Sequence, residues 1–158
     1  MFDVIVEFPK MKVAVKTRDE HVVEIRYFPS STPSRAAGNP LAALAAEQLE
    51  RYRQNPDATF DLPVLVEGTS LQRAVWEAMR AIPRGRTRTY GELARELGAD
   101  PRDIGQACGD NRLPIVIPCH RVVAADGIGG FGHSTGGYLL EAKRWLLMHE
   151  APAFELKP

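Results

Sequence analysis

Three helix-start signals follow one another closely in the second half of the chain, and they constrain its fold more than any other feature. Thr69 and Gln72 have the spacing of a capping box, which recurs at Thr89. In a capping box the threonine hydroxyl accepts a hydrogen bond from the main-chain amide of the third helical residue. The side chain of that residue in turn accepts a hydrogen bond from the main-chain amide of the threonine. Asp100 followed by Pro101 is the third signal, because aspartate caps helices and proline favours their first position. This half of the chain is therefore predicted to be mostly helical.

The second and third of these helices are joined by only three residues, 98–100. Gly98 suits the end of a helix because glycine tolerates the left-handed backbone needed there. Two short capped helices at this distance predict a helix-turn-helix, although such pairs also occur as plain packing units. In the second helix, Gly105 and Ala107 are small enough to let a nucleic-acid backbone approach closely.

The N-terminal part of the chain is of a different kind. Three segments near the N-terminus are rich in β-branched residues and are predicted strands. Asn39 and Pro40 start a predicted helix, and residues 60–66 are predicted to form one more strand. The inward face of that helix is predicted to carry Leu41, Leu44, Ala45, Leu49 and Tyr52. The sequence thus predicts an α+β protein of two domains, an N-terminal scaffold at 1–66 and a C-terminal domain at 67–158.

The chemistry of the chain is concentrated at Pro118-Cys119-His120-Arg121. The apolar run 115–117 is predicted to be a strand that ends at Pro118, since proline lacks an amide donor. Cys119 is then presented at a strand end, where its cationic neighbours would lower the pKa of the thiol and favour the nucleophilic thiolate. The alternative is a structural cysteine buried in an apolar strand, which is the usual fate of a free cysteine.

Composition argues against several other kinds of protein. The chain of 158 residues holds only two cysteines, too few for a disulfide framework, so a cytoplasmic location is expected. There is no apolar run long enough to span a membrane and no signal-peptide pattern. The cysteines and histidines lack metal-ligand spacing, and the glycine-rich stretch at 127–137 lacks a phosphate-binding signature. Neither a metal nor a cofactor is expected.

The charge distribution leaves nucleic-acid binding open. Net charge is zero, but residues 73–121 contain nine arginines, no lysine and six acidic residues. Arginine presents planar, forked donors that suit phosphate groups. The excess favours a nucleic-acid partner, although a GC-rich genome would have the same effect on arginine content.

The stretch 115–123, with Pro118-Cys119-His120-Arg121 at its centre, resembles the acceptor motif of the O6-alkylguanine-DNA alkyltransferases, and the resemblance extends over about residues 69–150. Members of this family are single-use DNA repair proteins that move an alkyl group from guanine O6 onto their own cysteine. The resemblance implies a small RNase H-like N-terminal domain and a C-terminal domain with a helix-turn-helix. It also implies a monomer that needs no cofactor and acts on double-stranded DNA containing O6-alkylguanine.

The resemblance further implies roles for individual residues. Cys119 would attack the alkyl carbon, His120 would take the thiol proton through a water molecule, and Glu150 would orient the imidazole. Tyr90, in a Thr-Tyr pair with Thr89, matches the proton donor to the leaving guanine. The ordinary alternatives are a surface acid at a helix end for Glu150 and a core residue for Tyr90.

DNA contacts follow from the same resemblance. Arg102 matches an inserted "arginine finger" that fills the gap left by a flipped base. The predicted DNA-binding residues are Thr89, Tyr90, Arg102, Gly105, Ala107 and Arg112. Asn111 matches a hinge asparagine that ties the DNA-binding helices to the active-site turn, and Arg121 is expected to be structural, behind the site. Ser134 and Thr135 are possible base-pocket residues, because extra residues in the glycine-rich stretch disturb the match there.

Two other functions fit parts of the sequence. A non-catalytic damage sensor, like the alkyltransferase-like relatives, would bind the lesion without transfer, but those relatives lack the acceptor cysteine present here as Cys119. A conventional cysteine hydrolase would turn over repeatedly, but the chain has no nucleophile-elbow signature, and the helix-turn-helix would be idle. The expected function is alkyl transfer from DNA to the protein.

Overall fold

The structure is a computed structural model of the chain, and it describes residues 1–129 and 137–151. The chain divides into two compact units, Met1–Val66 (unit 1) and Glu67–Pro158 (unit 2). Among the residues that the structure describes, no helix combines the length and the apolar character needed to cross a membrane.

Unit 1 is built on an antiparallel sheet of three strands in the order β1-β2-β3. The strands are β1 (Val4–Phe8), β2 (Met11–Arg18) and β3 (His21–Phe28). The central strand β2 begins with a buried run, and one helix, α1 (Pro40–Gln54), packs against the sheet. As predicted, Asn39 caps α1, and its Oδ1 accepts a hydrogen bond of 2.8 Å from the amide of Ala42.

The predicted inner face of α1 is partly wrong. The helix buries Ala42 and Gln48, whereas Leu44 is 39% exposed. Gln48 can be buried because its side-chain amide is satisfied by Asp61. Its Nε2 donates to the Asp61 carboxylate, and its Oε1 accepts the main-chain amide of Asp61 at 3.1 Å.

The predicted strand at 60–66 is wrong as well. The segment makes one isolated parallel bridge, between Val64 and Val22. Val22 donates its amide to the carbonyl of Pro63 at 2.8 Å, and its carbonyl accepts the amide of Leu65 at 3.1 Å. Pro63 has no amide to donate, so a longer ladder cannot pass through it.

Unit 2 is mostly helical. In chain order its described elements are α2 (Ser70–Arg80), β4 (Arg88–Thr89), α3 (Tyr90–Leu97), α4 (Pro101–Gly109), a 3-10 turn (Cys119–Arg121), β5 (Val122–Val123) and α5 (Gly137–Glu150). The short strands β4 and β5 pair in parallel. This pairing ties the start of α3 to the residues that follow the 3-10 turn.

The three predicted helix starts are confirmed. Thr69 and Thr89 each accept the main-chain amide of the third helical residue through their hydroxyl groups. Gln72 and Glu92 complete the two capping boxes by accepting the amides of these threonines. Asp100 caps α4 with its side chain, and a proline occupies the first turn as expected.

The helix-turn-helix forms as predicted, with α3 and α4 joined by residues 98–100. Gly98 ends α3 in the left-handed region, at φ 63° and ψ 38°. The pair is fixed on α2 by Trp76, whose Nε1 donates 2.8 Å to the carbonyl of Ala107. Trp76 is a core residue of unit 2, whereas Leu71 on the same helix is 38% exposed.

Residues 115–117 form a turn instead of the predicted strand. The amide of Ile117 donates to the carbonyl of Leu113 at 2.8 Å, and Ile115 has a φ of 74°. A positive φ is strained for a β-branched residue because its Cβ crowds the main chain. The apolar side chains of Ile115 and Ile117 are nevertheless buried. Burial and the local hydrogen bonds therefore outweigh the preference of this run for an extended backbone.

Candidate active site

Asn111 fixes the turn that precedes the candidate nucleophile. Its Nδ2 donates to the carbonyl of Ile117 at 2.8 Å, and its Oδ1 accepts the amide of Leu113 at 2.9 Å. One side chain thus holds both ends of the turn, which helps to offset the strain at Ile115. Because Asn111 follows directly after the cap of α4, it connects the helix-turn-helix to the turn before Cys119. The hinge role that the resemblance implies for Asn111 stays a prediction.

Cys119 is the first residue of the 3-10 turn and is 6% exposed. Burial raises the pKa of its thiol, while a hydrogen bond from Asn111 and the charge of Lys143 oppose this rise. The predicted lowering of the pKa is therefore wrong, because loss of solvation outweighs the cationic groups. The side chain is a thiol at neutral pH, so a reaction at sulfur needs a base that removes its proton.

His120 is fully buried, and its Nε2 lies 2.9 Å from Oε2 of Glu150. Contact with a carboxylate favours the tautomer with its proton on Nε2, which leaves Nδ1 as the basic nitrogen. The buried Nδ1 has no hydrogen-bond partner within residues 1–129 and 137–151. Burial lowers the pKa of His120, although Glu150 opposes the shift, so the imidazole is neutral at physiological pH. A neutral imidazole can act as a general base and accept the proton of a thiol through a water molecule.

Arg121 binds both carboxylate oxygens of Glu150. Its Nε donates to Oε1 and its Nη2 to Oε2, each at 2.9 Å, and its Nη1 donates to the carbonyl of Ile82 at 2.7 Å. Burial alone would raise the pKa of Glu150, but the bonds from His120 and Arg121 hold it well below its ordinary range. Arg84 also reaches this helix end, where its Nη1 donates to the main-chain carbonyl of Glu150 at 2.7 Å. Glu150 is therefore an ionised, firmly held carboxylate rather than a surface acid.

Lys143 is the site residue that sequence reasoning missed. Its side chain is fully buried, and Nζ donates to the carbonyl of Val122 at 2.8 Å. Nζ also lies 5.9 Å from the ring centroid of Tyr90. Burial lowers the pKa of Lys143 to about 8. The available signal was a lysine on the inner face of α5 beside Ala142, Leu146 and Leu147, the face that also carries the buried Glu150.

Tyr90 begins α3 and is half-buried. Burial raises the pKa of Tyr90, and negative charge on Cys108 or Cys119 adds to the rise, so its hydroxyl stays protonated. Gly129 packs closely against the ring. A Cβ on Gly129 would lie 3.0 Å from Cε2 and 3.1 Å from the hydroxyl oxygen of Tyr90, and φ there is 75°. Only glycine fits this position without moving the tyrosine.

The predicted DNA-contacting cations lie on the outside of unit 2. Arg102 stands in the first turn of α4 with its side chain 93% exposed, and its Nε is 3.8 Å from the carboxylate of Asp100. Arg112 is exposed as well. Gly105 leaves open space on α4, since a Cβ there would have no neighbour within 4 Å among the described atoms.

Other predicted site residues have different surroundings. Ala107 was expected on the DNA side of α4, and this prediction is wrong: the residue is 2% exposed, and its carbonyl accepts a hydrogen bond from the indole of Trp76 on α2. Thr89 is engaged as a helix cap, since its hydroxyl accepts a main-chain amide at 3.1 Å. Ser134 and Thr135, the possible base-pocket residues, lie outside the described residues.

Comparison with known proteins shows which family this chain resembles. Residues 70–152 match the family model described as 6-O-methylguanine DNA methyltransferase, DNA binding domain. A methylated-DNA–protein-cysteine methyltransferase of Mycolicibacterium paratuberculosis is 42% identical over 133 residues, which make up 82% of this chain and 76% of that protein. The chain belongs to the methylated-DNA–protein-cysteine methyltransferase family.

Solved structures extend the family likeness to nearly the whole chain. The crystal structure of Mycobacterium tuberculosis O6-methylguanine methyltransferase matches with a TM-score of 0.76 and 30% identity, covering 98% of this chain and 96% of that one. A structure of the same organism's protein in complex with DNA matches with a TM-score of 0.73 and 31% identity, covering 94% of each chain. The methyltransferase fold therefore includes unit 1, where the sequence carries little visible chemistry.

Proposed function

We propose that this chain is a DNA repair protein that transfers the alkyl group of O6-alkylguanine, typically methyl, to its own Cys119. One observation carries the proposal: Cys119 heads a turn directly before the buried His120–Glu150 pair, in the unit that matches the family's DNA-binding domain. Each molecule reacts once, because the thioether product is not released. The chain is thus a methyltransferase that is consumed by its own reaction.

The reaction begins when the damaged base leaves the duplex stack, at a cost of a few kcal/mol. His120 accepts the proton of Cys119 through a water molecule, and the thiolate attacks the alkyl carbon in line with its bond to O6. The S–C bond forms as the C–O6 bond breaks, and the electron pair stays on guanine, which takes a proton from Tyr90. His120 then passes its proton to the Tyr90 phenolate. In total, one proton moves from the Cys119 sulfur to guanine. The charge of Lys143 stabilises the thiolate in its buried surroundings.

The partner in this proposal is double-stranded DNA that contains O6-alkylguanine. The exposed Arg102 fills the gap left by the flipped base, and the open surface at Gly105 lets the backbone approach α4. Arg112 contacts phosphate, and Asn111 transmits the docking of the helices to the turn before Cys119.

The arrangement of the whole chain fits the same proposal. Unit 1, three antiparallel strands followed by a helix, serves as an RNase H-like scaffold, and unit 2 binds DNA and accepts the alkyl group. The protein acts as a monomer, since one chain supplies Cys119, His120, Glu150 and Tyr90. The acceptor must remain a free thiol, which favours a reducing compartment such as the cytoplasm.

Intact-mass analysis tests the function directly. The protein is mixed with a duplex that carries a single O6-methylguanine, with the Cys119→Ser variant alongside. The wild type is expected to gain one methyl group per molecule, which peptide mapping places on Cys119, and the variant is expected to gain none. Tight lesion binding by the wild type without any mass gain would instead indicate a damage sensor. Repeated turnover of substrate would indicate a hydrolase.

Replacing Arg102 with alanine is expected to slow transfer from duplex DNA about 10- to 100-fold, because the flipped state loses the side chain that fills the stack. Transfer from the free base O6-benzylguanine should not change, since no stack has to be opened. Single-turnover rates on both substrates measure the two effects. Arg144→Ala, an exposed arginine on α5, is the matched control. Equal losses on duplex and free base would contradict a role in base flipping.

A further inference from the structure

The proposed reaction explains why His120 contacts Glu150, but it does not explain why Glu150 is also bound by an arginine fork. We propose that Arg121 is a positioning residue that fixes the orientation of Glu150 and offsets its charge, so that His120 stays a neutral imidazole able to accept the thiol proton. The inference rests on the proposed function in one respect, namely that the proton accepted by His120 comes from the Cys119 thiol during alkyl transfer.

The geometry fixes the carboxylate from two sides. Nε and Nη2 of Arg121 take one oxygen of Glu150 each, at 2.9 Å, which defines the plane of the carboxylate. The third donor, Nη1, is anchored at 2.7 Å to the carbonyl of Ile82, just beyond the end of α2. Because Oε2 also lies 2.9 Å from Nε2 of His120, the orientation of the imidazole is set through the same carboxylate. A lysine has one charged nitrogen and cannot form this fork.

The balance of charge around His120 supports the second part of the proposal. Glu150 and Lys143 face His120 from α5, and Arg121 follows it in the 3-10 turn, so one negative and two positive groups surround the ring. Burial lowers the pKa of His120, Glu150 raises it, and Arg121 and Lys143 lower it further. The side chains of His120 and Glu150 are at most 2% exposed and that of Arg121 is 14% exposed, so solvent screens these charges weakly. Without Arg121, the carboxylate would favour the imidazolium, which cannot accept a proton.

Heteronuclear NMR of histidine-labelled protein tests this inference without any substrate. The signal of His120 is assigned by its loss in His120→Gln, and its titration midpoint is compared in wild type, Arg121→Gln and Arg121→Lys. Arg144→Gln is the matched control, because Arg144 is an exposed arginine on α5, the helix that ends at Glu150. The acid limb of the single-turnover rate of methyl transfer is then measured for the same proteins.

Arg121→Gln is expected to raise the midpoint of His120 by about 1 to 2 pH units and to move the acid limb of the rate by the same amount. Arg121→Lys keeps the charge, so its midpoint should stay near that of wild type while its transfer rate falls about 10-fold from loss of the fork. Arg144→Gln should change neither quantity.

An unchanged midpoint in Arg121→Gln, or equal shifts in the glutamine and lysine variants, would overturn the proposal and leave Arg121 as a structural residue. Should the glutamine variant fail to fold, Arg121→Lys decides, and a wild-type transfer rate in that variant would contradict the role of the fork. Failure of the wild type to take up methyl would refute the proposed function while leaving the titration result interpretable.

Discussion

Replacing Glu150 with glutamine is expected to slow methyl transfer about 100-fold or more and to lower the free energy of unfolding at neutral pH by about 3 kcal/mol. The rate falls because His120 loses the carboxylate that orients it and stabilises its protonated form. Stability falls because the guanidinium of Arg121, which is 14% exposed, then lacks a charged partner for its Nε and Nη2. Breaking a buried ion pair on one side is costly for this reason.

The stability effect should depend on pH in a defined direction. The pKa of Glu150 in the folded protein lies well below its ordinary range, because hydrogen bonds outweigh burial. A depressed folded pKa contributes stability above the unfolded value of about 4.3, and this contribution is lost as pH falls towards the folded pKa. Urea unfolding of the two proteins should therefore show the largest difference near pH 7, shrinking below about pH 4.

Glu141→Gln is the control for this experiment, since Glu141 is an exposed carboxylate on the same helix. It should leave both transfer and unfolding unchanged. A difference in stability between wild type and Glu150→Gln that stayed constant down to pH 3 would show that the loss comes from packing and not from the ionised carboxylate.

Local sequence signals were sufficient to predict where three helices of unit 2 begin. Capping boxes at Thr69 and Thr89, and the Asp100-Pro101 start, specify helix ends through hydrogen bonds between residues at most three positions apart. Such signals act within the chain segment itself, so they survive in the fold. They also produced the helix-turn-helix, whose connection depends on a left-handed glycine at position 98.

Sequence patterns failed where contacts from outside a segment decide its conformation or its surroundings. The run at 115–117 has the composition of a strand. Hydrogen bonds with Asn111 and burial of the isoleucine side chains nevertheless stabilise a turn, with Ile115 at positive φ. Ala107 was assigned to the DNA side of α4 by its size, yet it is buried, and the indole of Trp76, 31 positions earlier in the chain, donates to its carbonyl. The pKa of Cys119 was judged from its two neighbours in sequence, whereas burial by the whole unit determines its direction.

The site chemistry was predictable to a different degree. Pro118-Cys119-His120-Arg121 and the distant Glu150 were identified by resemblance, and the structure brings His120, Arg121 and Glu150 into contact. The arginine fork could not be deduced, because nothing in the sequence relates the direction of Arg121 to the end of α5. Lys143 was missed for the opposite reason: a lysine in an amphipathic helix is normally exposed, and only the packed structure shows it buried.

Replacing Lys143 with methionine is expected to separate activity from stability. Transfer should slow about 10- to 100-fold, because the charge that favours the thiolate of Cys119 is lost. The free energy of unfolding should rise by about 1 to 2 kcal/mol at neutral pH, since the protein no longer buries a cation in apolar surroundings. The gain is smaller than the full cost of burying the charge, because the carbonyl of Val122 loses its 2.8 Å hydrogen bond.

The pH dependence of stability identifies the charge as the cause. The pKa of Lys143 is lowered to about 8 by burial. Between this value and the unfolded value of about 10.4, the unfolded chain binds the proton and the folded chain does not, so the stability of the wild type rises with pH across this window. The free energy of unfolding of Lys143→Met should not rise with pH across this window. That of the exposed control Lys10→Met should rise as in the wild type. A variant that lost both activity and stability would make Lys143 a packing residue, whereas slower transfer by a more stable protein can only come from the missing charge.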